Sequence, residues 1–402
     1  MLHAFPPRSR AHLLLAGALA PLVVVGVVHE RRAAEEAWTH ALEGLAVVEE
    51  SVNARFGERP VLWGDRTDDE ADPHYARALA LVHGWDPHEV VDARRAKDDA
   101  GRKIREALVA RGAEALAALH SGAHAATYAP AVEWEEGWQL NGIRLMDSRH
   151  LVQLAGLKAE LEFAAGRDLE AVGWLLDGMQ LAADLCRAPR TMIEEMIGIA
   201  LLSPEVLLDR VADGRIEELS PAARERLLVG MRTLDQRLGW EPTSLGTDLL
   251  LLAYSIERGR VGDLEQDADL LAILEPIRTS IGLRRASRCI ETWTTVANEL
   301  SSHYASGPDG VASLYDSLLA QGQEPDPFLA NVTPKLATAL RSRAFQVGRF
   351  RLLLFELEGA APKEVDPWIA GLVRETVGEE GEPLLTIEHE LFEDGAWLQV
   401  SR

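Results

Sequence analysis

His120 and His124, four residues apart, are the residues of this chain whose type and spacing come nearest to chemistry. At that spacing two imidazoles share one helical face and can hold a zinc ion, provided that a third ligand arrives from elsewhere in the fold. Glu114 precedes them, and His83 and His88 lie upstream. Histidines on an alanine-rich helix are ordinarily solvent-exposed, so exposure is the expectation and no metal is assigned. Trp134 and Trp138 sit in a connection that contains Pro130, Gly137 and Gly142, and they could frame a binding surface. Anchoring that connection onto a core is the simpler use of two large rings.

Catalytic signatures do not add to this. The sequence has no GxGxxG or Walker-type phosphate loop, no GxSxG elbow and no HExxH helix. Adjacent carboxylates, Glu135 with Glu136 and Glu194 with Glu195, point about 100° apart on a helix and do not converge as an acid and base pair would. Solvated charge is the expectation for them. Asp65, Asp68, Asp69, Glu70 and Asp72 crowd one segment without the regular spacing of a calcium loop, and Gly57 to Pro73 reads as a solvated loop. No catalytic residue and no cofactor is read from the sequence.

Composition narrows the partners. With 26% charged and 47% apolar residues, the 402-residue chain is globular in type. Its 36 arginines and 5 lysines reflect base composition more than chemistry. Residues 1–28 carry Arg8 and Arg10 as their only charges, which takes the remainder from the overall −23 to −25. Such a surface repels phosphate backbones, so nucleic acid is excluded as a partner. Cys186 and Cys289 have no CxxC or zinc-ligand spacing. Two buried helix cysteines are the expectation, and a disulfide is the alternative.

The elements that must position these residues begin with an apolar run. Ala11 to Val28 holds eighteen residues with His12 as the one non-apolar side chain, between Arg8 and Arg10 and Arg31 and Arg32. At about 1.5 Å per residue it just spans a hydrocarbon core of about 30 Å. Ala18-Leu19-Ala20 has signal-peptidase spacing, but Pro21 would follow the cut, which favours an uncleaved anchor with the N-terminus cytoplasmic and the body periplasmic. Glu30 to Phe56 continues at helical spacing, and Asp86 to Ala126 is helical again.

Ser148 to Ala165, a Gly166-Arg167-Asp168 turn with Asp168 as N-cap, and Leu169 to Cys186 make an antiparallel helical hairpin. Ser203-Pro204-Glu205 and Ser220-Pro221 each open a helix. Leu245 to Ile256, apolar all round except for Asp248, reads as a central buried helix. Helices follow at Asp263 to Ser280, Gly282 to Tyr304, Val311 to Leu319 and Thr333 to Glu358, the last with Arg341, Arg343, Arg349 and Arg351 facing acidic surface. Leu385, Ile387, His389 and Leu391, then Ala396, Leu398 and Val400, alternate with polar residues around Asp394-Gly395, the pattern of a β-hairpin.

The run EWEEGWQL (133–140), followed by RHLVQLAGLKAELEFAAGRDLEAVGWLLDGMQLAADL (149–185), resembles a group of uncharacterised, N-terminally anchored helical proteins of planctomycete and myxobacterial type. The tail is similar too: spaced arginines from Arg341 to Leu357, a break at Gly359 to Pro362, Asp366-Pro367, and a strand pair from Leu384 to Val400. The tail also resembles the end of pseudopilin-like proteins, although the Phe-Thr-Leu-Ile-Glu type of anchor is missing. The resemblance implies an anchored helical body and no known activity.

The expected fold is mainly α: an N-terminal transmembrane helix, an irregular stack of antiparallel helical hairpins, and a small C-terminal β-hairpin. Residues 1–29 would be the membrane anchor, 30–128 an N-terminal helical region, 129–332 a central helical-hairpin core, and 333–402 the long helix plus hairpin. The expected function is that of a membrane-tethered, non-enzymatic scaffold or interaction protein of the bacterial envelope. It would sit in the inner membrane through residues 11–28 and bind another envelope protein. The alternatives are a periplasmic hydrolase with a site around His120, His124, Trp134 and Glu135, and a small-ligand or lipid carrier.

Overall fold

A computed structural model describes residues 7–95, 98–130, 132, 134, 145–202, 219–236, 244–261, 278–303, 343, 346–348, 350–351, 353–354, 357–358, 373–377, 383–387 and 398–401; for residues 7–24 and the strands after 372 it describes the backbone alone. The protein is mainly helical with two small sheets. Helix α1 runs unbroken from Pro7 to Asn53, 47 residues. Among the described residues no helix is long and apolar enough to cross a membrane. Most of the expected span 11–28 lies outside the described side chains.

The second half of α1 explains why it continues past the apolar run. Ala34, Trp38, Ala41, Leu45, Val48 and Val52 recur at alternating spacings of four and three residues and are buried, which is the stripe that two neighbouring helices require. Those neighbours are α10 (Leu245–Val261) and α11 (Ser280–His303). Trp38 Nε1 donates to Glu257 at 2.7 Å, and Tyr254 donates to Glu49 at 3.0 Å, both across the α1–α10 contact. In α10, Leu249, Leu250, Leu251, Leu252, Ala253 and Ile256 are all buried, as its all-round apolarity predicts.

After α1 the expected loop is partly ordered into sheet. Strands β1 (Gly57–Glu58) and β2 (Thr67–Glu70) flank β3 (Ala125–Tyr128), the first antiparallel and the second parallel. β1 and β2 are polar and too short to carry an alternation, and β3 begins inside the stretch expected to be helical to Ala126. Helix α2 (Ala71–Val82) was not expected and begins inside the stretch read as loop, whereas the expected helical stretch from Asp86 is divided into α3 (Pro87–Arg95), α4 (Asp99–Arg111) and α5 (Ala113–His124). Alanines on α5 allow α2 to approach so closely that a Cβ at Gly122 would lie 2.6 Å from the Tyr75 ring.

The hairpin forms as read, from α6 (Leu145–Ala164) and α7 (Asp168–Arg187). Gly166 closes α6 at φ +73, and Arg167 N–H donates back to Glu162 O at 2.9 Å, a glycine-terminated helix end. Asp168 is not the N-cap. Arg167 takes that place, and the Asp168 carboxylate accepts the Ser220 N–H at 2.7 Å, holding the start of α9 (Pro221–Asp235). Around α7 pack α2, α5, α6, α9 and α8 (Met192–Leu201), together with Val347, Phe350, Leu353, Leu354 and Leu357, which form the larger core.

A polar joint ties this core to the α1–α10–α11 core. Glu194 and Glu195 are buried, contrary to the solvated pair expected. Tertiary partners reverse the expectation: Glu194 pairs with Arg190 at 2.8 Å, and Glu195 accepts the Ser244 N–H at 2.8 Å while pairing with buried Arg343. Arg351 pairs with Asp235 at 2.7 Å, as the acidic neighbourhood suggests. Cys186 and Cys289 are buried, one in each core.

In the tail, β5 (Pro383–Ile387) and β6 (Leu398–Ser401) pair antiparallel with Leu385 opposite Val400, and the unanticipated β4 (Val373–Val377) completes a three-stranded sheet. The expected turn at Asp394-Gly395, Ser203-Pro204-Glu205, and the helices at 263–277 and 311–319 lie outside the described residues.

Asp248 crosses the joint, accepting the Met192 N–H at the start of α8 at 2.9 Å. Burial pushes its carboxyl up to about 7 against the opposing pull of that hydrogen bond. The folded chain therefore keeps a proton that the unfolded chain releases from about pH 4 upward, and stability falls as pH rises toward 7. An Asp248→Asn variant, which retains the acceptor, is expected to lose this slope and melt higher than the parent at pH 8. The difference is on the order of 4 kcal/mol at most. Thermal unfolding at pH 5 and pH 8 checks it, and parallel pH profiles for parent and variant would refute it.

Candidate functional site

Helix α7 carries three polar residues on a face that is otherwise core: Asp177, Gln180 and Asp184, all buried. A buried carboxylate requires compensating hydrogen bonds or charge, and the segment after β1 supplies them. Trp63 Nε1 donates to Asp177 Oδ1 at 2.7 Å, Leu62 N–H donates to Gln180 Oε1 at 2.9 Å, and Arg59 Nη1 lies 2.8 Å from Asp184 Oδ2. Tyr75, from α2, donates its hydroxyl to the same Asp184 oxygen at 2.8 Å, and burial raises that phenol well above its usual range. Arg59 also donates to the Gly122 carbonyl near the end of α5.

This arrangement brings the last turn of α5 over Asp177. His120 Nδ1 lies 2.8 Å from Asp177 Oδ2, and His124 Nε2 lies 3.4 Å from Oδ1. His120 is half-exposed, with its side chain 45% accessible, whereas that of His124 is 9% accessible. The expectation of two exposed bystanders is therefore wrong for His124, because α5 turns its end toward α7 and into the core. His124 Nδ1 lies 3.1 Å from the Asp65 carbonyl, an acceptor only, so Nδ1 carries the proton of that hydrogen bond. Burial lowers the His124 pKa, but the Asp177 hydrogen bond and charge and the Asp65 carbonyl outweigh it, leaving the net shift upward.

Two glycines make the space. At Gly64, φ is +72 and a Cβ would stand 2.3 Å from His124 Cε1; at Gly173, one turn before Asp177, a Cβ would stand 2.7 Å from the Trp63 ring. The aromatic rings then close around the histidines. Trp63 meets His124 edge-on at 4.8 Å, His120 lies 5.7 Å from Trp174, and the two imidazoles are 4.2 Å apart. Arg226 stands over the other part of Trp63 at 5.1 Å.

His120, His124 and Asp177 each offer one ligand atom, all within 4.8 Å of one another, and are the residues here that could hold a metal. The other residues singled out in the sequence lie elsewhere. His83 pairs with Asp147 at 3.1 Å, and Glu114 is near Arg77 on the surface. Trp134 packs in the α1–α10–α11 core, 6.5 Å from Phe56, and donates to Asn53 at 3.2 Å, so it anchors its connection. Trp138 and Glu135 lie outside the described residues. Trp63 and Asp177 were missed by sequence reasoning, and Asp65 was read as part of a solvated loop, although polar residues at 177, 180 and 184, in the rhythm of the buried leucines, were a readable signal.

No family model, curated protein or solved structure matches this chain.

Removing one partner of a buried ion pair leaves the other charge uncompensated, at about 3 to 5 kcal/mol, whereas losing one neutral donor to a charged group costs about 1.5 to 3 kcal/mol. Asp184→Ala is therefore expected to lower the urea midpoint more than Tyr75→Phe does. Equal midpoints for the two variants would show that Arg59 does not depend on Asp184.

Proposed function

We propose that the chain is a membrane-tethered, non-enzymatic helical scaffold of the bacterial envelope, which holds an acidic body outside the cytoplasm for another envelope protein to bind. One observation carries the reading. Where α1 leaves the apolar run, Val25, Val27 and Val28 are 65%, 60% and 60% exposed, whereas from Ala34 onward one face of the same helix is buried in the body and its other face, Val47 included, stays exposed. Three valines within four residues, continuing an apolar run and left uncovered by the described residues, suit lipid better than water.

The length of α1 supports a rigid connection. An unbroken helix of 47 residues is about 70 Å long, roughly 30 Å for the hydrocarbon layer and the rest for docking on α10 and α11. Arg284 pairs with Glu30 at 2.7 Å just beyond the valines, fixing the exit of the helix from the body. The likeness to N-terminally anchored helical proteins agrees with this reading. The hydrolase alternative named a site of His120, His124, Trp134 and Glu135, and Trp134 packs in a different core from the one beside the histidines.

Full-length chain is expected to stay in membranes washed with alkaline carbonate, and deletion of residues 1–28 is expected to release a folded body to the supernatant. Protease added to spheroplasts should digest the body, and photo-crosslinkers on its surface should capture a discrete envelope protein. Full-length chain in the soluble fraction with residues 1–28 still attached would end the proposal.

A further inference from the structure

We infer that His120 Nδ1, His124 Nε2 and the Asp177 carboxylate form a binding site for one zinc-class divalent transition ion, independently of the tether.

The strongest ground is His124. Its Nδ1–H is committed to the Asp65 carbonyl, so its Nε2 is the free coordinating atom. That Nε2 is buried and faces Asp177 Oδ1 at 3.4 Å, longer than a well-formed hydrogen bond. The buried Asp177 carboxylate draws a cation to that nitrogen, and a metal ion would take the place a proton otherwise holds there. The ring that donates one N–H to a carbonyl while its other nitrogen meets the ion is the usual outer-shell pattern of metal-bound histidine. Trp63 Nε1–H on Asp177 Oδ1 supplies the same support to the carboxylate.

Distances fit. Metal–ligand bonds of about 2.0–2.2 Å at tetrahedral angles place ligand atoms roughly 3.3–3.6 Å apart. His124 Nε2 already stands at that spacing from Asp177, and the three ligand atoms lie within 4.8 Å of one another. His120 must withdraw slightly from its 2.8 Å contact, which its half-exposed position permits. Imidazole nitrogens select zinc-class ions over calcium or magnesium, and three protein ligands leave a fourth position beside His120 open to solvent. The ion also compensates the charge of Asp177, which is wholly buried.

The test uses full-length chain in detergent, stripped with chelator. Titration with zinc chloride by calorimetry is expected to show one ion per chain, undisplaced by excess calcium, and cobalt(II) is expected to give the visible absorption of a low-coordinate nitrogen and oxygen site. His120→Ala, at a half-exposed position, should retain the parent circular dichroism. It should weaken zinc by more than the 10- to 100-fold typical of losing an outer partner, a loss expected instead of Trp63→Phe. Absence of zinc binding by folded parent chain would overturn the assignment. So would zinc binding that His120→Ala leaves unchanged, or that calcium displaces, since the ion would then sit on other carboxylates such as the Asp65–Asp72 segment.

Discussion

A line of buried polar groups on α7 determines how the rest of the larger core is arranged. Asp177, Gln180 and Asp184 occur once per helical turn on a face that leucines otherwise fill, and each costs several kcal/mol in the interior unless it is partnered. Their partners come from Arg59, Leu62, Trp63 and Tyr75. The segment between β1 and β2 is therefore held along α7, and with it the short sheet that joins this segment to the end of α5. Positioning of His120 and His124 over Asp177 follows from the same constraint.

A second polar arrangement does comparable work between the two cores. Asp248 receives the first N–H of α8, Glu195 receives the Ser244 N–H at the start of α10, and Arg343 joins Glu195 from the distant arginine-rich segment. Apolar contact alone permits helices to slide, whereas hydrogen bonds with fixed partners select one register.

Legibility in the sequence varied with the kind of signal. The α6–α7 hairpin, the α9 start at Ser220-Pro221, the buried α10 and the pairing of β5 with β6 follow from turn chemistry and periodicity, and each was readable. Beta structure in Gly57 to Glu70 was not, because the strands are short and polar. Glu194 and Glu195 misled because charge beside charge ordinarily marks solvent, and here arginines buried with them reverse that rule. For the histidines, spacing located the pair, but burial of His124 depended on where α5 ended against α7.

By itself, then, the sequence determined the mainly helical character, the α6–α7 hairpin, the apolar N-terminal run and the anionic character of the body, since these follow from local propensity, periodicity and summed charge, while α2 and the ends of α3, α4 and α5 were not legible. Tertiary structure alone decided which face of each helix was covered and which polar groups met. Trp63 and Asp177 are 114 positions apart, and His120 and Asp177 are 57 apart. No pattern along the chain encodes such a meeting, because the cost of an unpartnered carboxylate acts only after folding has taken water away.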